Sequence, residues 1–153
     1  MTKKPPVIMW FRQDLRITDN PALNEAIETG SPLLPIYILD DENAGEYKPG
    51  AASRWWLHNS LQSLNASLDG NLQCFRGKAD EILPALVRRL GATNIYWNRC
   101  YEPWRIQRDC QIKADLRNSG HHVASFNGSL LFEPHDVAKA DGTPYKAVSY
   151  THL

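Results

Sequence analysis

The chain has 153 residues, 42% hydrophobic and 22% charged, with zero formal net charge. That is one ordinary globular domain, and no stretch approaches the roughly 18–20 apolar residues needed to span a membrane. The neutral balance argues against a basic nucleic-acid grip by these residues themselves. Three scattered cysteines, Cys74, Cys100 and Cys110, suit a reducing cytosol and show no metal-ligand spacing.

The opening "MTKKPPVIMWF" runs straight into a strand and lacks the long apolar run and small residues of a secretory signal, so a cytoplasmic location is expected. "VIMWF" (7–11) is a continuous apolar run, the pattern of a strand covered on both faces. Asn20-Pro21 offers an N-cap followed by proline at the first helical position, and a helix is expected to about Thr29, where Gly30 stops it. "LLPIYIL" (33–39) is the second buried strand, with Pro35 marking an irregular side. A long helix spans about 51–69. Its leucines at 57, 61, 64 and 68 form one stripe, which places Trp56 in the core and leaves Trp55 on a polar face with Asn59 and Gln62.

"LQCFR" (72–76) is a third strand. Residues 80–90 form a helix with Leu83, Leu86, Val87 and Leu90 inward and Gly91 as its stop. "NIYWN" (94–98) is the fourth strand and holds Trp97 in the core. Pro103 opens a helix to about 118, and "HVASF" (122–126) is the fifth strand. Strands alternating with helices imply an α/β fold: a Rossmann-like open parallel five-stranded sheet with helices on both faces. Ligands of such sheets lie beyond the carboxyl ends of the strands, which selects loops 11–19, 39–50, 77–80 and 98–103.

The first of these loops, within "WFRQDLRITDNPAL" (10–23), carries Arg12, Asp14 and Arg16 but no glycine. A dinucleotide fingerprint is therefore absent. These charges either form a pocket or tie the loop to its helix as an ion-pair cluster. The second loop adds Asp40, Asp41 and Glu42; the fourth reads "NRCYEPW", with Asn98, Arg99, Tyr101 and Glu102. Tyr101, Trp104 and Trp97 beside amides and carboxylates suit a flat heteroaromatic ligand with hydrogen-bonding edges. Glu102 could equally be an acid at a helix N-terminus, favoured by the helix dipole. His58, His121 and His122 read as structural or solvent-facing, and no Ser-His-Asp or Cys-His set stands at the strand ends.

"WFRQDLRITDNPAL", "ASRWWLHNSL", "IYWNRCYEPW" with "RIQRD" behind it, and "SFNGSLLFEP" resemble, in that order, DNA photolyases and cryptochromes. The resemblance covers residues 7 to about 146. It implies an N-terminal α/β domain (1–146) that holds a light-harvesting antenna chromophore, while FAD and the DNA lesion pocket belong to a larger helical C-terminal domain absent from this chain. The full family repairs cyclobutane pyrimidine dimers by electron transfer from the excited flavin to a flipped-out lesion. This chain alone is expected to be inactive and monomeric, with that missing domain as its partner and damaged DNA reached through it.

Carried over by motif, the pocket candidates are Arg12, Asp14, Asp40, Arg54, Asn98, Tyr101 and Glu102, with Arg12, Asp40, Asn98 and Glu102 expected to border one cleft. Cys100 departs from the acidic residue that deazaflavin-binding members favour, so methenyltetrahydrofolate, 8-hydroxydeazaflavin, a flavin and an empty pocket all stay open. The tail departs too: after "DGTPYK" comes "AVSYTHL", and 147–153 read as an atypical or truncated end. Two further readings stand beside a photolyase domain: a fragment of a cryptochrome-type blue-light photoreceptor, and a free-standing small-ligand-binding domain.

Overall fold

The computed structural model describes residues 4–139 and 141–143. The tail at 147–153 lies outside them. Five strands form one parallel sheet: β1 (Val7–Phe11), β2 (Leu33–Leu39), β3 (Gln73–Arg76), β4 (Asn94–Asn98) and β5 (His122–Phe126), in the order β3-β2-β1-β4-β5. The strand order reverses between β1 and β4, so the switch point lies at the ends of the runs ending in Phe11 and Asn98. The helices are α1 (Pro21–Glu28), α2 (Asp41–Ala44), α3 (Ala51–Ser67), α4 (Ala79–Leu90) and α5 (Pro103–Asn118). The short α2, continued by a 3-10 turn over Gly45–Tyr47, stands where the sequence reading placed only a loop.

Two-residue alternation divides the sheet between two cores. Ile8, Trp10, Ile36, Ile38, Ile95 and Trp97 face α4 and α5. Val7, Met9, Phe11 and Tyr96 face α1 and the C-terminal half of α3. All five residues of β1 are buried, which is why its run carries no polar position. Pro35 sits one residue before pairing with β3 begins at Ile36, the irregular side that its ring requires.

The structure corrects two core assignments. Trp56 is not core but 68% exposed, as open as Trp55 at 67%. Leu61, Leu64 and Leu68 anchor only the second half of α3 on the sheet, and the turns carrying Trp55 and Trp56 project past that core. Leu90 is likewise 38% exposed in the last turn of α4, beyond the sheet's reach.

Candidate functional site

The glycine-free first turn has a structural explanation. Asn20 caps α1, its Oδ1 accepting from the Leu23 N–H at 3.1 Å, and Asn98 Oδ1 accepts from the Ala22 N–H at 3.2 Å. Asn98 Nδ2 donates to Asp14 (2.6 Å) and to Asn20 (2.7 Å), and the Asp14 carboxylate also accepts from the Arg12 backbone N–H (2.9 Å). In a dinucleotide fold the first helix end is left open for a phosphate. Here side chains of β4 and of the loop itself fill it. Asp14, Asn20 and Asn98 are all buried.

A second layer is ionic. The Arg12 guanidinium donates to Asp109 and to the Asn98 carbonyl; Arg108 pairs with Asp109 (2.8 Å) and with Asp40 (3.0 Å). The chain Arg12–Asp109–Arg108–Asp40 is buried throughout. It is also layered with indoles: the Arg12 and Arg108 guanidiniums each lie 5.0 Å from the Trp10 ring, and Arg108 again 5.0 Å from Trp104. Planar guanidinium suits this double duty, since it stacks by its face while donating at its edge. Burial would raise the Asp40 carboxyl, but hydrogen bonds from Asn43, the Ala79 N–H and Arg108 outweigh it and hold it below the usual carboxylate range.

The other candidates are placed apart. Arg54 pairs with Asp41 at 3.0 Å, stapling the start of α3 to α2. The Tyr101 hydroxyl donates to Glu133 at 2.9 Å. Glu102 stands at the N-cap position of α5, yet its side chain makes no cap bond; it accepts from Gln13 (2.6 Å) and lies 3.5 Å from Arg105.

The sequence reading expected Arg12, Asp40, Asn98 and Glu102 around one cleft; the structure instead distributes them over adjoining depressions. Arg12 borders the main cleft. Asp40 lines a narrow chamber behind it with Trp10 and Arg108, Glu102 a recess beside Tyr47 and Trp104, and Asn98 a small recess with Asp14 and Cys100.

The main cleft has a volume of about 830 Å³, within the range of about 300–1,000 Å³ that suits small organic ligands. Tyr37, Trp55 and Trp56 supply ring faces; Arg12, Arg16 and Arg105 supply cations, and among the described residues no acidic side chain lines it. Burial pushes the Tyr37 phenol up, with Arg105 opposing, so it is a neutral hydroxyl at pH 7. Burial also raises the Cys100 thiol, which Arg12 and Arg105 oppose, so it too stays protonated. Among buried side-chain nitrogens of the described residues, Trp10 Nε1, Arg12 Nε and Arg105 Nε have no hydrogen-bond partner, although Arg105 Nε lies 3.5 Å from Glu102. All three residues line the chamber behind the cleft, whose volume of about 40 Å³ suits a single acceptor group and not a ring.

Tyr37, Trp56, Arg105, Arg108 and Asp109 escaped the sequence reading. Arg108 and Asp109 carry a usable signal, because the inward residues Ile112 and Leu116 continue the same helical face at spacings of three and four. Charges on the inward side of a helix must be paired.

The DNA photolyase family model matches residues 7–151. A deoxyribodipyrimidine photo-lyase of Agrobacterium fabrum is 44% identical over 147 residues, covering 94% of this chain and 30% of that protein. Cryptochrome-1 of Arabidopsis thaliana is 41% identical over 142 residues, covering 90% and 21%. Among solved structures, a bacterial class III photolyase from Agrobacterium tumefaciens superposes with a TM-score of 0.86 at 41% identity, covering 96% of this chain and 30% of that one. An archaeal photolyase from Sulfolobus tokodaii, described with two FAD molecules and an implied novel light-harvesting cofactor, reaches 0.74 at 28% identity, covering 84% and 31%. The chain spans about a third or less of these relatives.

Proposed function

Since this chain belongs to the DNA photolyase family, we propose that it is the antenna domain of a light-driven repair enzyme for cyclobutane pyrimidine dimers in DNA. The observation that carries this reading is the cleft at the carboxyl edge of the sheet, with indole faces, three arginines and, among the described residues, no carboxylate. That chemistry matches a planar pigment with an anionic tail. A ring system burying about 200 Å² of apolar surface would gain roughly 5 kcal/mol.

Trp55, Trp56 and Tyr37 would stack on the pigment, and Arg105 and Arg16 would meet its charges. Arg12 would present its free Nε while Asp109 and Asn98 fix the guanidinium in place. When bound, the pigment supplies absorption and passes the excitation on to a flavin held elsewhere in the longer protein. Fixed orientation is what the chain contributes, because energy transfer depends on the angle between the two dipoles. The buried ion chain under the cleft supplies that rigidity. Methenyltetrahydrofolate, 8-hydroxydeazaflavin and a flavin share the required shape and acceptor atoms. FAD, damaged DNA and the repair step belong to the larger domain of the relatives.

A cryptochrome-type photoreceptor domain is the second reading, favoured by the 41% identity to the Arabidopsis protein. It shares the pigment site and differs only in the output of the longer protein. The test is a fluorescence titration of purified protein with methenyltetrahydrofolate, 8-hydroxydeazaflavin and FMN. Micromolar binding of one of them, weakened in Trp55→Ala and Trp56→Ala, supports the pigment site. Binding of none below millimolar concentration would remove it.

A further inference from the structure

The segment following β5, "NGSLLFEP" (127–134), is turned inside out relative to the usual rule for a soluble surface. Leu131 is 90% exposed and Phe132 62%, with Leu130 and Val137 also open. Glu133 between them points inward, its side chain only 13% exposed. An acid facing the protein beside a leucine facing water costs free energy on both counts, so something must hold the segment in that orientation and something should cover it.

The holding is visible at each end. Arg99 donates to Glu133 through Nη2 (2.5 Å) and Nε (3.0 Å), Tyr101 donates its hydroxyl to the same oxygen (2.9 Å), and Arg99 also reaches the Ser125 carbonyl (2.5 Å). The acid is held below its ordinary value because these hydrogen bonds outweigh its desolvation. At the other end Asn127 Oδ1 accepts from the Ser129 and Leu130 N–H groups, and Arg16 donates to the Gly128 carbonyl at 2.6 Å. Gly128 packs directly on Asn98: an added Cβ would stand 2.6 Å from Asn98 Cγ. Fixed at 127–128 and again at 133, the strip cannot roll its leucines under without breaking charge-assisted bonds.

We propose that Leu130, Leu131 and Phe132 form a docking strip for the remainder of the photolyase-type polypeptide, and that Arg99 and Tyr101 are positioning residues that present it by clamping Glu133. The occupant follows from two observations. The family match runs through this strip to residue 151, and the relatives carry roughly three times as much chain as is present here. The strip also adjoins the cleft, since Arg16 lines both the cleft and the groove beside Leu130 and Leu131. A body docked on the strip would therefore lie next to a pigment in the cleft. The docking inference rests on family membership and does not require the pigment.

The test compares Leu131→Asp/Phe132→Asp in two settings: this chain alone, and a full-length protein in which this chain replaces the matched segment of the Agrobacterium fabrum photo-lyase. In the chain alone the double variant should melt as the wild type does and lose binding of the apolar dye ANS. In the full-length protein the wild type should not expose the strip to ANS. There the double variant should be cleaved by trypsin near the junction about tenfold faster, since cleavage tracks the opened population. Equal cleavage of variant and wild type, or equal ANS binding by the wild type in both settings, would overturn the proposal. So would a wild-type chain that sediments alone as a dimer and is made monomeric by the variant, because the strip would then belong to a second copy.

Discussion

Asp40 gives the sharpest test of how the site is braced. Its carboxylate performs three tasks at once: it caps α2 through the Asn43 N–H (3.0 Å), accepts from the Ala79 N–H at the start of α4 (3.1 Å), and pairs with Arg108 (3.0 Å). The α4 N-cap residue, Lys78, makes no side-chain cap bond, so Asp40 supplies the cap from another loop. Asp40→Ala removes a cap contribution of about 1 kcal/mol and leaves Arg108, whose side chain is only 6% exposed, with Asp109 as its remaining partner. Breaking a buried pair by deleting one member costs about 3–5 kcal/mol, so a total of about 4–6 kcal/mol is expected. For a domain of this size, at about 2–4 °C per kcal/mol, the melting temperature should fall by roughly 8–24 °C.

Asp40→Asn keeps an acceptor and the shape, and should lose about half as much. The pH profile adds a sign. The folded carboxyl lies below its unfolded value, so its contribution is present above the unfolded pKa and is lost as pH falls through the folded pKa. Asp40→Asn should therefore flatten the acid limb of the wild-type stability curve. The assay is circular dichroism melting and urea titration of both variants from pH 3 to 7. A loss under 1 kcal/mol for Asp40→Ala would refute the idea that this acid joins three elements.

Glu102→Ala should lower pigment affinity by no more than about 1 kcal/mol while circular dichroism stays native, because its carboxylate stands outside the cleft and acts only by holding Gln13 and Arg105 at the cleft wall; a loss above about 2 kcal/mol would show that Glu102 itself meets the pigment. Gly128→Ala should destabilise by about 1–3 kcal/mol through its collision with the buried Asn98 side chain, and melting without change would show that the segment shifts freely. Lys113→Met should leave stability unchanged or raise it. Burial lowers the Lys113 pKa, so the charged amine opposes folding at neutral pH and this cost fades as pH rises; a loss above 2 kcal/mol would show that its bond to Ser125 dominates. The isolated chain should not split thymine dimers under blue light, and any light-dependent dimer loss in a gel assay would contradict the assignment of repair to the larger domain.

Strand positions were legible in the sequence because a two-face-buried strand reads as a near-continuous apolar run, as β1, β2 and the Ile95–Trp97 centre of β4 do. The start of α1 was equally legible, since Asn20-Pro21 signals a cap through neighbours in the chain. These are local demands of backbone hydrogen bonding and burial, and short windows of sequence record them. Which apolar residues meet a core is not local. Trp56 has the right period beside Leu57 and Leu64, but only the placement of α3 on the sheet decides that its turn overhangs the edge. The same holds for charge. Arg12 finds Asp109 across 97 positions and Arg108 finds Asp40 across 68, so no window contains both partners, and only the fold joins Arg12 and Asp40 into one buried ion chain. Desolvated charges must pair, which makes the existence of partners inferable from burial alone; their identity is set by which loops the parallel sheet brings to one edge.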